Sequence, residues 1–121
     1  MKPYLKRLAE LYHKTQSGQD FTESETRDWC DSLNANLTCK KKHYAYEYTL
    51  AYLWERYKAV GRLCPVERML WRKAMQQNLS LCCELSWLEH LSFIVYQTGD
   101  TDYQHEICAK IDWLNGDGVV H

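Results

Sequence analysis

Eighteen consecutive residues, Leu79 to Tyr96, limit this chain more than any other feature. Twelve of them are apolar: Leu79, Leu81, Cys82, Cys83, Leu85, Trp87, Leu88, Leu91, Phe93, Ile94, Val95 and Tyr96. Only Glu84, Glu89 and His90 have carboxyl or imidazole groups that could carry charge. A helix apolar on nearly every side needs partners all round, so the stretch is expected as a central helix or as half of a homodimer interface. Its polar insertions argue against a membrane span, which takes about twenty mostly apolar residues with few charges.

Helical spacing continues outward in both directions. Pro3 suits a first turn, where its missing N–H costs nothing. Tyr4, Leu5, Leu8, Leu11 and Tyr12 then recur at helical period, and Ser17-Gly18 ends the run. Thr22 with Glu25 reads as a capping box, each side chain satisfying an orphan N–H at the other position. Trp29, Cys30, Leu33 and Leu37 follow on one face. Tyr44, Tyr48, Ala51 and Tyr52 resume that face in phase. Residues 22–59 are therefore expected as one long helix, or as two meeting near Lys40-Lys41-Lys42. Gly61 ends it, and Pro65 opens another. Its core face runs Leu70, Trp71, Ala74, Leu81, Cys82, Leu85, Leu88, Val95 and Tyr96, with a possible bend near Gln76-Gln77-Asn78. Gly99 closes that helix, and Thr101 with Gln104 reads as a second capping box. A last short helix runs to Asn115-Gly116, and residues 117–121 are expected to fray. The expectation is an all-α, single-domain protein, a compact bundle of four to five helices over residues 1–116.

Net charge is −1, which favours neither nucleic acid nor an anionic membrane. Its distribution says more. Residues 40–75 carry nine basic and three acidic groups, and residues 76–121 carry one basic and seven acidic. The two segments either neutralise each other or present opposite patches to a partner. The start of the chain is charged and amphipathic with no apolar signal region, so the six cysteines are expected reduced in a cytoplasm.

Catalytic motifs are missing: there is no glycine-rich phosphate loop, HExxH pair, nucleophile elbow or CxxC pair. Cys30, Cys39 and His43, or His90, His105 and Cys108, would be the raw material for a metal site, but the usual close-spaced ligand pairs are absent. Neither metal, cofactor nor catalytic residue is expected. Cys30, Cys82, Cys83 and Cys108 are read as small buried apolar groups. Glu84 and Glu89 lie about 140° apart on a helix, too far round to act as a pair. Each is read as a solvent edge or as the partner of an arginine such as Arg68 or Arg72.

The basic run Lys40-Lys41-Lys42-His43 mixes with Tyr44, Tyr46 and Tyr48, a pattern that suits single-stranded nucleic acid. Tyr44 and Tyr48 fit the core face, leaving Tyr46 free to stack. Five tryptophans and nine tyrosines exceed what a small core needs, and such rings are favoured at protein interfaces. Trp54, Trp71 and Trp87 are the raw material of a patch.

The chain also echoes itself 42 residues on. Phe21 answers Leu63, Glu25 answers Glu67, Trp29 answers Trp71, Asn36-Leu37 answers Asn78-Leu79 and Glu47 answers Glu89. The two asparagines suggest helix bends or hydrogen bonds between helices.

Leu8-Ala9-Glu10-Leu11-Tyr12, Thr15, Ser17-Gly18, Phe21-Thr22 with Glu25, and Asn34-Ala35-Asn36 resemble a module of small uncharacterised proteins from Gram-positive phages and prophages. Thr98-Gly99-Asp100-Thr101-Asp102-Tyr103-Gln104-His105-Glu106-Ile107-Cys108 resembles the end of that module. On this likeness residues 37 to about 78 are an insertion by duplication, and no functional residue carries over. The likeness implies a phage setting, in which small helical proteins bind and disable host proteins. The resulting expectation is a non-enzymatic interaction module that inhibits or modulates a host protein, such as a defence nuclease, in the host cytoplasm. Lys41, Lys42, Tyr46, Trp54, Arg56, Arg62, Arg68 and Arg72 are the expected contact residues. The alternative is a small nucleic-acid-binding transcriptional regulator using the basic 40–75 segment.

Overall fold

The computed structural model describes residues 1–115 and is all-α. The helices are α1 (Pro3–Gln16), α2 (Glu23–Thr38), α3 (Ala45–Val60), α4 (Pro65–Thr98) and α5 (Thr101–Leu114). The expected frayed tail 117–121 lies outside the described residues. Two compact units divide the chain: residues 2–79, and residues 80–115 together with Met1. The helix α4 contributes to both.

In the first unit, α1 packs on α2 and α2 on α3. The i, i+3, i+4 leucines of α1 do what their spacing demands, and Leu5, Leu8, Ala9 and Leu11 are buried. Leu33, Leu50, Ala51, Leu53, Ala74 and Met75 are the buried apolar residues from the other three helices.

Thr22 caps α2 as its sequence predicts. Its hydroxyl accepts from the Glu25 N–H (3.2 Å), and the Glu25 carboxylate accepts from the Thr22 N–H (2.9 Å). The Lys14 ammonium stands 2.5 Å from the same carboxylate. That ammonium, with the Thr22 N–H, holds the Glu25 carboxyl down at about 2 against an ordinary 4.5. A carboxyl depressed in the folded state stabilises above its unfolded pKa and stops doing so as pH falls through the folded one. Wild type should therefore melt above Glu25→Gln at pH values over 4.5, and the gap should close as pH approaches 2. Thermal melts along a pH series read this directly, and a gap independent of pH would contradict it.

Residues 22–59 are two helices, broken over residues 39–44 at the lysine run. The break resets the helical phase, so the expected tyrosine face is wrong. Tyr48 and Tyr52 are exposed, Tyr52 at 63%, whereas Tyr46 is 7% exposed and Glu47 only 1%. Glu47, the third residue of α3, caps its start through the side chain. Its carboxylate takes the N–H groups of His43 (2.7 Å) and Tyr44 (2.6 Å) and the Lys2 ammonium (3.1 Å). Gly61 ends α3 at φ 87°, a conformation costly for any side chain with a Cβ, and its N–H bonds the Tyr57 carbonyl at 2.7 Å.

Two pairs of residues 42 apart make matching contacts. Glu67 accepts the Cys64 N–H (3.0 Å) and pairs with Arg56 (2.5 Å), as Glu25 does with Thr22 and Lys14. Asn36 donates to the carbonyl of Glu47 (2.9 Å), and Asn78 donates to that of Leu5 (2.8 Å). These are the bonds between helices that the two asparagines suggest. The Tyr46 hydroxyl donates to Asn78 Oδ1 at 2.9 Å. Its counterparts one offset earlier, Tyr4 Oη and Asn36 Oδ1, are buried with no hydrogen-bond partner among the described residues.

In the second unit, Leu88, Val95 and Ile107 form a core bordered by Leu91, Ile111 and Leu114. The cap of α5 is Asp100, one residue before the expected Thr101, and its carboxylate accepts the Tyr103 N–H at 3.1 Å. The helix α4 continues through Gln76-Gln77-Asn78. The expected all-round burial of residues 79–96 does not hold. Leu85, Leu88 and Val95 are buried, but Trp87, Phe93, Ile94 and Tyr96 are exposed, Tyr96 at 69%. Leu70, placed on the core face by its spacing, is exposed as well. The stretch has more apolar residues than one face of a helix holds, so the surplus turns outward. A homodimer through 79–96 would use that outward face.

Candidate functional site

Three helices of the first unit and the α3–α4 turn enclose a cleft of about 300 Å³. Its lining is Trp29 and Cys30 from α2, Trp54 and Tyr57 from α3, Leu63 from the turn and Trp71 from α4. Trp29 and Trp71 meet edge-on at 6.4 Å between ring centroids, and Trp54 stacks on Tyr57 at 5.8 Å. The i, i+3 spacing of Trp54 and Tyr57 places their rings on one face of α3. The Trp54 indole N–H is spent on Asn34 Oδ1 (2.8 Å), which also accepts from the Lys58 ammonium (3.2 Å). That amide fixes the rotamer of a lining ring and holds a cation at the edge of the cleft.

Phe21 lies against Trp29 with centroids 5.6 Å apart. Leu63 stands 42 residues after Phe21, and Trp71 stands 42 after Trp29. Leucine lacks the ring that would cover Trp71 as Phe21 covers Trp29.

Seven cations lie within three residues of a lining side chain, Arg27, Arg56, Lys58, Arg62, Arg68, Arg72 and Lys73, against three acids, Asp28, Asp31 and Glu55. Arg56 is neutralised by Glu67 at 2.5 Å, and Lys58 is held by Asn34. Arg62, Arg68 and Arg72 are exposed and make no ion pair among the described residues. Arg68 lies one turn before Trp71 on the same helix face, Arg72 follows it directly, and Arg62 precedes Leu63.

Of the eight expected contact residues Trp54 lines the cleft, and Arg56, Arg62, Arg68 and Arg72 lie within three residues of a lining side chain along the chain. Lys41 and Lys42 stand before the first turn of α3, at the opposite end of that helix from Trp54 and Tyr57. There the Lys42 ammonium donates to the Cys39 carbonyl and lies 5.5 Å from the Tyr48 ring centre. Tyr46, expected free to stack, faces inward with its hydroxyl on Asn78, because the break at residues 39–44 rotates α3 from the assumed phase. Trp87, grouped with Trp54 and Trp71 by composition, belongs to the other unit and is exposed. The expected list omits Trp29, Cys30, Tyr57, Leu63 and Trp71. The Trp29–Trp71 echo and the Trp54–Tyr57 spacing are the signals for three of these.

The remaining polar candidates scatter. Glu84 faces Lys110 at 3.7 Å, and Glu89 is exposed. All six cysteines are free thiols, and Cys83 and Cys108, expected buried, are exposed. Among the described residues no three His, Cys, Asp or Glu side chains converge on a possible metal position. No helix among them is long and apolar enough to cross a membrane.

Comparison with known proteins gives one result. The model of a family described as "Family of unknown function (DUF7667)" matches residues 43–119, the span of α3, α4 and α5. The motifs Leu8 to Asn36 lie outside that span, whereas Thr98 to Cys108 lie inside it. No curated protein and no solved structure matches the chain.

Proposed function

The chain belongs to that family of unknown function, DUF7667, and from there we propose that it is a non-enzymatic protein-binding module whose contact surface is the tryptophan cleft and its arginine rim. The observation that carries this reading is the cleft itself: about 300 Å³ lined by three indoles, beside three arginines with no acidic partner among the described residues. Tryptophan, tyrosine and arginine dominate the residues that carry binding energy at protein interfaces. The lining offers rings, a thiol and a leucine, a surface for apolar contact with no carboxylate or imidazole for acid–base work.

The phage likeness of the Leu8–Asn36 and Thr98–Cys108 motifs supports reading the module as one that works in an infected or lysogenic Gram-positive cell. There it occupies and modulates a host protein in the cytoplasm. The matching contacts of Glu25 and Glu67, and of Asn36 and Asn78, support reading α1–α2 and α3 with the start of α4 as a duplicated hairpin. On that reading one copy keeps the ring over its tryptophan, and the other lost it and gained the cleft.

The test is a pulldown from Gram-positive host lysate with the tagged full chain, alongside the Arg68→Glu/Arg72→Glu variant. Both arginines are exposed, so the pair leaves the fold intact. A partner retained by wild type should fall by about tenfold or more on the variant. A partner held equally by both would overturn the assignment of the surface. The regulator reading, with the basic 40–75 segment on nucleic acid, is the second outcome. It requires DNA or RNA binding at low salt that falls steeply as salt rises.

A further inference from the structure

Resting on that reading, the geometry points to the chemistry of the occupant: a short acidic protein segment that seats one bulky apolar side chain, such as an indole, in the cleft. Two observations converge on it. The first is how apolar the lining is: three indoles, a phenol, a thiol and a leucine, with no charged side chain among them. The indole N–H of Trp54 is already donated to Asn34, and that Asn34 oxygen is shared with Lys58. A nucleobase seated here would lose water from its polar edges, and an unmatched polar group buried in this way carries a penalty of about 1–3 kcal/mol. A hydrocarbon or indole side chain loses little of that kind, and the surrounding rings suit edge-to-face or offset contact.

The second observation is charge. Arg56 has its acid in Glu67, so the cation that is matched is matched within the chain. Arg62, Arg68 and Arg72 are not: Arg68 shares a helix face with Trp71, and Arg62 and Arg72 adjoin Leu63 and Trp71 along the chain. Carboxylates on either side of a buried anchor would meet these guanidinium groups in bidentate geometry. The size agrees with one anchor: about 300 Å³ is at the lower end of small-molecule pockets. The anchor supplies affinity, and the rim supplies on-rate and choice of partner.

The chain supplies its own blocking variant. Phe21 shows a phenyl ring lying against the tryptophan that Trp71 echoes, so Leu63→Phe should cover Trp71 in the same way and fill the cleft. The probe is a fluorescein-labelled, capped heptapeptide, Asp-Glu-Asp-Trp-Asp-Glu-Asp, titrated into the full chain and read by anisotropy. Companions replace its tryptophan with alanine, or its acids with lysines, and an oligothymidine strand serves as the nucleic-acid arm. Indole N–H signals in a ¹H–¹⁵N spectrum locate the contact, since three of the five tryptophans line the cleft.

The acidic tryptophan peptide should bind and shift those three indole signals. Affinity should drop about tenfold or more with the alanine peptide, with Leu63→Phe, and with Arg68→Glu/Arg72→Glu. Equal binding of the alanine peptide would overturn the anchor, and tighter binding of the lysine peptide or of oligothymidine would overturn the acidic segment. Should Leu63→Phe not fold, the exposed arginine pair and the indole shifts still decide. If no peptide binds while the arginine pair still controls capture of a lysate protein, the occupant is wrong and the surface is right. If that capture ignores the arginines, the surface itself is wrong.

Discussion

Glu47→Ala should destabilise the protein by about 3 kcal/mol. Glu47 is 1% exposed, and its carboxylate answers three donors at once: the Lys2 ammonium and the N–H groups of His43 and Tyr44. Alanine would strand both N–H groups at the start of α3, where the helix has no partner of its own for them. It would also leave the Lys2 ammonium without its counter-charge. Lys2 is 30% exposed and can rehydrate, which keeps the figure below the roughly 5 kcal/mol upper end for breaking a buried pair. In a chain of this size the loss appears as a drop in Tm of about 10–15 °C. Glu47→Gln keeps one acceptor oxygen but turns an amide N–H₂ toward a donor, so it should recover less than half. Urea or thermal melts by circular dichroism read both variants. A loss under about 1 kcal/mol for the alanine variant would mean that the carboxylate is not the fastening it looks to be.

The second large effect compares two matched positions. Asn78→Ala should cost about 2–4 kcal/mol, because Asn78 is fully buried, donates to the Leu5 carbonyl and accepts from the Tyr46 hydroxyl. Asn36→Ala should cost about half as much. Asn36 donates once, to the Glu47 carbonyl, while its Oδ1 has no partner among the described residues. The tyrosines separate more sharply. Tyr46→Phe would strand Asn78 Oδ1 and cost about 1–2 kcal/mol. Tyr4→Phe removes a buried hydroxyl with no partner among the described residues, so stability should hold or rise. Equal losses from the two tyrosines would show that the Tyr46–Asn78 bond contributes nothing of its own.

Much of the fold is legible where the signal is local. The capping box at Thr22, the stops at Gly18, Gly61 and Gly99, and the proline starts of α1 and α4 each depend on residues within a turn of one another. The phase of α3 is not legible. Seven residues separate Leu37 from Tyr44, which mimics an unbroken helix, but the loop at residues 39–44 breaks that count. Residues 79–96 show that hydropathy measures how much apolar surface a helix carries and not how much of it finds a neighbour. The basic half of the site is visible as charge density in residues 40–75. The cleft is not, because Trp29, Trp54 and Trp71 come from three helices and their meeting is a property of packing. Tyr46 reads as a surface ring until the asparagine that holds its hydroxyl, 32 residues on, is in place.

The two asparagine ties differ in a way that a native structure alone does not display. One joins residues 11 apart along the chain, the other residues 73 apart. By loop-closure scaling the longer tie costs about 1.7 kcal/mol more chain entropy to form. During folding, α2 and α3 should therefore clasp early, and α1 should reach α4 late. Run backwards, the same order makes α1 the first element to let go of α4 when the protein opens.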